Sequence, residues 1–291
     1  MGIVKEPEAN VSTSLQTTGQ LHALLGRARA IGPATWIAYI VLIVAVLWAL
    51  VPGLFTAYDA IAGTPGQQLR APSLMHYFGT DALGRDVFSR VVHGAVHSLS
   101  GAFVATLVGL VIGTALGLLS GSLGGVIDEI VMRIVDVLLS IPGLLLALSI
   151  IILLGFGILN ASIAIGVTAI AAFARLMRSE VIRVRSSDYV EAAIGSGGKL
   201  FAVLWRHVLP NALTSVVAFS ALQFGSAILQ LSTLGFLGYG APPPTPEWGL
   251  LVAEGRNYVA TAWWLTAAPG LVVVIVVLAA NQVSKSLRGS L

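Results

Sequence analysis

The stretch 137-VLLSIPGLLLALSIIILLGFGILNASIAIGVTAIAAFA-174 contains 38 consecutive residues without a charge. A helix crossing a hydrocarbon core of roughly 30 Å needs about 20 mostly apolar residues. The stretch is therefore too long for one crossing and long enough for two short ones. Gly155, Gly157 and Asn160 mark the turn between them, and Pro142 is expected to kink or open the first of the two. Working outward, Trp36 to Phe55 and Leu99 to about Leu119 are equally free of charge. A fifth apolar run starts after Pro210 and ends near Phe236, and a sixth reaches from Trp263 to Gln282, with Trp263 and Trp264 suited to a membrane interface and Pro269 expected to kink it. The expectation is an all-α membrane protein with six transmembrane helices.

Composition agrees. The 291 residues are 56% hydrophobic and 10% charged, with a mean hydropathy of +0.91, whereas soluble domains carry about 25% charged residues. The absence of cysteine excludes disulfides, thiolate metal sites and cysteine nucleophiles. With the N-terminus in the cytoplasm, twelve of the Lys and Arg residues fall inside and four, Arg70, Arg85, Arg90 and Arg256, outside. The positive-inside rule then puts both termini in the cytoplasm. The net charge of +3 is thus divided by side of the membrane rather than gathered into a phosphate-tracking patch, and nucleic acid is not an expected partner. The organisation read from the chain is a cytoplasmic arm over 1–33, a six-helix domain over 34–284 and a cytoplasmic tail over 285–291. The domain carries external loops over 56–98 and 237–262 and a cytoplasmic segment over 179–208. The arm lacks an apolar run followed by a cleavage site and does not read as a signal peptide.

Within the cytoplasmic segment, Val181, Val184, Val190, Ala193, Ile194, Leu200, Phe201, Val203 and Leu204 recur at roughly helical spacing around Gly195, Gly197 and Gly198, which reads as helix, bend, helix. The sequence there, Tyr189-Val-Glu191-Ala192-Ala193-Ile-Gly-Ser-Gly197 followed by Leu209-Pro210-Asn211, resembles the EAA motif of permease subunits of ATP-binding-cassette (ABC) importers. In that family the motif forms a short coupling helix that docks on an ATPase subunit. The resemblance implies this role for Glu191, Ala192, Ala193 and Gly197, with Leu209 and Pro210 marking re-entry into the membrane. The chemistry suits it: small alanines permit close docking, glycine turns the chain without a Cβ clash, and Glu191 can make a charge-assisted contact.

Two external stretches narrow the resemblance. His76 to Arg90, containing Gly79-Thr80-Asp81, Gly84-Arg85-Asp86 and Ser89-Arg90, is similar to a signature of C-type permease subunits of dipeptide and oligopeptide importers, from which Tyr77 and Phe78 depart. The stretch from Phe236 through Pro243-Pro-Thr-Pro246-Glu-Trp248-Gly249 to Glu254-Gly255-Arg256 resembles a second signature of the same family. The resemblance implies a type I ABC importer permease architecture that forms half of a translocation pathway. It also implies a homologous second permease, two ATPase subunits and an extracytoplasmic binding protein in a bacterial cytoplasmic membrane. Asp81, Gly84, Arg85, Asp86, Trp248 and Arg256 are the expected contacts to the binding protein. Peptide is the expected substrate, with glutathione or nickel chelates as alternatives; a homodimeric permease pair stays open beside the heterodimer.

Other signals are weaker. Gly101, Ala105, Gly109, Gly113, Gly117 and Gly121 recur every four residues and form a close-packing stripe, whose partner helix the sequence leaves open. Gly195-Ser-Gly-Gly198-Lys199 fails as a phosphate-binding loop: Ala193 stands where a glycine is required and Leu200 where Ser or Thr is. ATP and Mg are therefore expected in partner subunits, with no cofactor and no metal in this chain. His93 and His97 are four apart, but Gly94 replaces the glutamate of a zinc-protease motif. An ion-coupled secondary transporter or channel is the competing reading; charges such as Arg133, Asp136, Arg175 and Arg178 sit at span ends rather than in span cores, which speaks against it.

Overall fold

The computed structural model describes residues 32–289. The arm expected over 1–33 lies, except for its last two residues, outside the described residues. The elements are α1 (Pro33–Leu50), α2 (Val87–Leu123), α3 (Gly125–Ser140), α4 (Gly143–Leu154), α5 (Ile158–Arg185), α6 (Asp188–Gly195), α7 (Leu200–Val203), α8 (Leu209–Phe236), α9 (Trp248–Gly255) and α10 (Trp264–Gly289). A π-helical turn, Leu204–Val208, joins α7 to α8. Among the described residues, five helical stretches are long and apolar enough to cross a membrane, and α3 with α4, bent by 96°, brings the number to six where the pair is counted as one broken span.

That break falls at Pro142, where the sequence leads one to expect a kink, and at 96° it is sharper than a kink within one helix. Pro142 has no N–H to donate and disfavours helix at the residue before it; Ile141 is accordingly extended, at φ −91° and ψ 131°. Only 12 residues of α4 follow. The expected turn after α4 is present, with Gly155 at φ +92° and Gly157 at +127°. Asn160 Nδ2 donates to Leu154 O at 3.0 Å and Gly155 O at 3.1 Å, satisfying carbonyls that a helix end leaves without partners. Pro269, by contrast, lies inside α10 without interrupting it.

Hydropathy underestimated several helices. α2 begins at Val87, well before the apolar run at Leu99, because Asp86 Oδ1 accepts from Ser89 N at 2.6 Å and caps the helix. α10 continues past Gln282 to Gly289, so the expected tail over 285–291 is helical through 289. α8 does not start afresh at Leu209: Pro210 cannot bond back to the carbonyl four residues earlier, and the chain passes this point through the π turn, with Leu209 N donating to Leu204 O.

The packing is that of a membrane protein. On α1 the buried positions are Thr35, Ala38 and Ala45, while Ile37, Ile40, Ile43 and Leu50 face outward. With no hydrophobic effect separating side chain from lipid, close approach is the force that joins helices. The glycine stripe of α2 lies against α5. A Cβ added at Gly109 would come within 2.7 Å of Ala169 Cβ, and one at Gly113 within 2.6 Å of Ile170 O. The stripe is therefore used inside this chain, as the seam between α2 and α5. At one end of the seam, Asp128 of α3 accepts from Arg178 Nε and Nη2 of α5 at 2.5 Å each. Arg185 Nη1 donates to Gly121 O at 2.9 Å and Ser122 O at 2.6 Å, satisfying the last carbonyls of α2.

Candidate functional site

The segment over 179–208 folds into a compact bracket. α5 ends at Arg185, with Ser186 as its C-cap, and α6 opens with Asp188 and Glu191 in its first turn, where acids favour the helix dipole. Val190 is fully buried against Val184, Val203 and Val208. Glu191, Ala192 and Ile194 consequently face outward and are exposed, while Ala193 is half-buried against the same core. Gly197 sits at φ +88°, a conformation in which an L side chain is strained. A Cβ at the next residue, Gly198, would lie 2.6 Å from Ala193 O. The chain therefore folds α7 back onto α6. Leu209 packs partly buried on this core and Pro210 is exposed in the first turn of α8. The residues singled out by sequence thus assemble into one piece: an outward strip of α6, the glycine that turns it, and the start of a long helix.

The residues singled out in the loop before α2 and around α9 behave differently. Asp81 Oδ1 accepts from Leu83 N at 2.8 Å and Arg85 N at 3.0 Å, and Oδ2 accepts from Arg85 Nε at 2.6 Å and Arg90 Nη1 at 3.0 Å. Arg90 Nη1 also donates to Glu254 of α9, as does Arg85 Nη2 at 3.4 Å. Asp86 caps α2 and pairs with His76 Nδ1 at 2.8 Å. Gly84, at φ +76°, closes the tight turn between Asp81 and Arg85. Trp248 is fully buried; its Nε1 donates to Val91 O at 2.9 Å and its backbone N to Ser98 Oγ at 3.1 Å. Of the residues expected to contact the binding protein, Asp81, Gly84, Arg85, Asp86 and Trp248 are buried within the chain, with hydrogen bonds to internal partners, and Arg256, at the end of α9, is exposed. A cavity of about 300 Å³ lies between Arg85, Arg90, Glu254, Asn257 and Tyr258.

Three site residues escaped the sequence reading. Arg90 and Glu254 stood inside the quoted signatures, but nothing local indicated that they meet. Glu247 stood between Pro246 and Trp248 with no role attached. It is fully buried and caps α9, accepting from Gly249 N at 2.9 Å, Leu250 N at 3.0 Å and Ser98 Oγ at 3.3 Å. Burial pushes its carboxyl above the usual range, while those donors pull it back. Tyr77 and Phe78, the departures from the signature, both pack edge-on against Phe88, with ring centroids at 5.5 and 5.2 Å. Gln223 and Gln230 are both half-buried on α8.

Residues 113–289 match the family described as the binding-protein-dependent transport system inner membrane component. The dipeptide transport system permease protein of Alkalihalophilus pseudofirmus is 39% identical over 246 residues, covering 84% of this chain and 81% of its own. The glutathione transport system permease protein of Shigella flexneri serotype 5b is 44% identical over 220 residues, 76% of this chain and 73% of its own. A chain of the inward-facing MetNI methionine ABC transporter shares the fold with a TM-score of 0.56 at 20% identity, over 69% of this chain and 96% of that one. An amino acid ABC transporter chain does so with a TM-score of 0.56 at 14% identity, over 70% and 95%.

Proposed function

The chain belongs to the family of binding-protein-dependent transport system inner membrane components, and from that premise we propose that it is the half of an importer's translocation pathway that passes peptides inward. Its partners in this reading are a homologous second permease, two ATPase subunits at the cytoplasmic face and an extracytoplasmic binding protein that delivers substrate. Both termini lie in the cytoplasm, and ATP and Mg belong to the ATPase subunits. The relatives named for dipeptide and glutathione transport support a peptide-like substrate.

The observation that carries the reading is the exposure of Glu191 and Ala192 on a short helix anchored from behind by Val190. A surface presented this way can be pulled by a partner without unfolding the segment. ATP-driven closure of the ATPases would move α6, and with it α5 and α8, so that the pathway opens alternately to either side. In the external loops the buried charges act as scaffold, and exposed positions such as Arg256 are left to meet the binding protein. The test is Glu191→Arg in the complete importer reconstituted in vesicles. ATP-dependent uptake of a labelled dipeptide should be lost while the complex still inserts; uptake at the unmodified rate would sink the proposal.

A further inference from the structure

The cavity of about 300 Å³ between the loop before α2 and α9 offers more hydrogen-bonding capacity than its own walls use. Asp81, Arg85, Arg90 and Glu254 meet there in ion pairs. Their charges cancel, so the cluster calls for no counter-ion. Both Asp81 oxygens are taken, by Arg85, Arg90 and the backbone of Leu83. Glu254 receives both arginines on Oε2 alone, which leaves Oε1 as an acceptor. Arg85 spends Nε and Nη2 and leaves Nη1 as a donor. Arg90 Nε is buried without a partner, a condition that folded chains seldom leave standing.

The rest of the wall suits a small molecule. Asn257 and Tyr258 line the cavity, and among the described residues their side chains make no hydrogen bond. Val87, Leu251 and Leu265 give it an apolar side. Small-molecule pockets begin at roughly 300 Å³ and join apolar walls to a few convergent polar groups. A spare donor on a cation and a spare acceptor on an anion, inside a cluster of zero net charge, match a ligand that carries both charges itself. A lone acidic side chain would satisfy Arg85 and meet Glu254 as a like charge, which disfavours it.

We propose that this cavity is a subsite for a zwitterionic dipeptide, its carboxylate on Arg85 Nη1 and its ammonium group on Glu254 Oε1. The inference rests on the reading of the chain as a peptide-importing permease and deepens it. In that reading the cavity lies on the side where the binding protein releases its cargo, so the subsite holds the peptide before it enters the pathway. A peptide with one terminus blocked leaves Arg85 or Glu254 unanswered, and a site built to hydrogen-bond a group rejects the analogue that lacks it. Selection by free termini would thus be made a second time, by the permease itself.

The experiment measures binding of tritiated dialanine to the importer assembled in nanodiscs without its binding protein, in competition with unlabelled dialanine, its C-terminal amide and its N-acetyl derivative. Each blocked peptide should compete roughly tenfold less well than dialanine. Glu254→Gln should erase the discrimination against the N-acetyl peptide and keep that against the amide, and Arg85→Gln should do the reverse; a purely structural lesion weakens all three alike and overturns the assignment. Asn257→Trp, which fills the mouth of the cavity from an exposed position, keeps the test standing where a charge variant fails to assemble. It should abolish binding, and unchanged binding overturns the proposal. So does absence of dialanine binding, or equal competition by the blocked peptides, while ATP-dependent dipeptide uptake by the complete importer shows separately whether the permease reading holds. If dialanine does not bind and Arg85→Gln instead releases the binding protein, the cavity takes an acidic side chain of that protein and the peptide subsite falls.

Discussion

Arg90, 1% exposed near the start of α2, donates to Glu254 near the end of α9, 164 residues away in sequence. The same guanidinium group reaches Asp81. This arginine thus ties the loop before α2, the first turn of α2 and α9 into one rigid cap. Removing one member of a buried charge cluster leaves the others uncompensated, which is costlier than never having built the cluster.

Arg90→Met should therefore destabilise the detergent-solubilised protein by on the order of 3 kcal/mol, followed by thermal or denaturant unfolding. Glu254→Gln should cost less, because the Glu254 side chain is 28% exposed and water can replace part of the interaction. The double variant should fall short of the sum.

The seam between α2 and α5 predicts a contrast between two glycines. Gly113→Ala drives a methyl group to 2.6 Å from Ile170 O and should cost roughly 1–3 kcal/mol through overpacking. Gly143→Ala meets nothing within 4 Å and should be neutral or mildly stabilising. Unfolding of the two variants side by side checks this.

The coupling segment predicts another. Gly197→Ala forces a side chain onto φ +88° and should cost roughly 1–2 kcal/mol locally, lowering uptake. Gly195→Ala, at a helical position with nothing within 4 Å, should leave uptake near normal. Vesicle uptake at equal protein content separates the two.

Glu247 predicts a pH dependence. Burial raises its carboxyl above the ordinary 4.5, so the folded chain holds this proton more tightly than the unfolded one. Its contribution to stability is therefore complete below pH 4.5 and is lost as pH rises through the raised folded value. Glu247→Gln should lower stability at all pH, since one capping oxygen becomes a donor facing Leu250 N, and should remove this part of the slope. A pH series of thermal unfolding for both proteins is the measurement.

Much of the fold was legible because the transfer of a side chain into lipid is a local property. Charge-free runs located the spans, Gly155 and Gly157 the turn after α4, and Pro142 the break before it. Helix ends set by capping were not legible: Asp86 starts α2 among polar residues that hydropathy discounts. The local shape of α6 was legible for the same reason, since Gly197, which turns the chain, and the outward Ala192 lie within a few residues of one another. The burial of Asp81, Arg85 and Trp248 was not legible, because it depends on partners far along the chain.

The sequence by itself determined that this chain crosses a membrane about six times and that the segment over 179–208 folds as helix, bend, helix, because periodicity, hydropathy and glycine placement act over a turn or a span. Only the tertiary structure decided that the glycine stripe of α2 closes on α5, that α3 and α4 meet at 96° and that Trp248 and Glu247 lock onto Ser98 across about 150 residues. Those outcomes depend on whether two distant surfaces fit at close range. Dispersion contacts and buried hydrogen bonds reward that fit steeply with distance, and no local pattern encodes it.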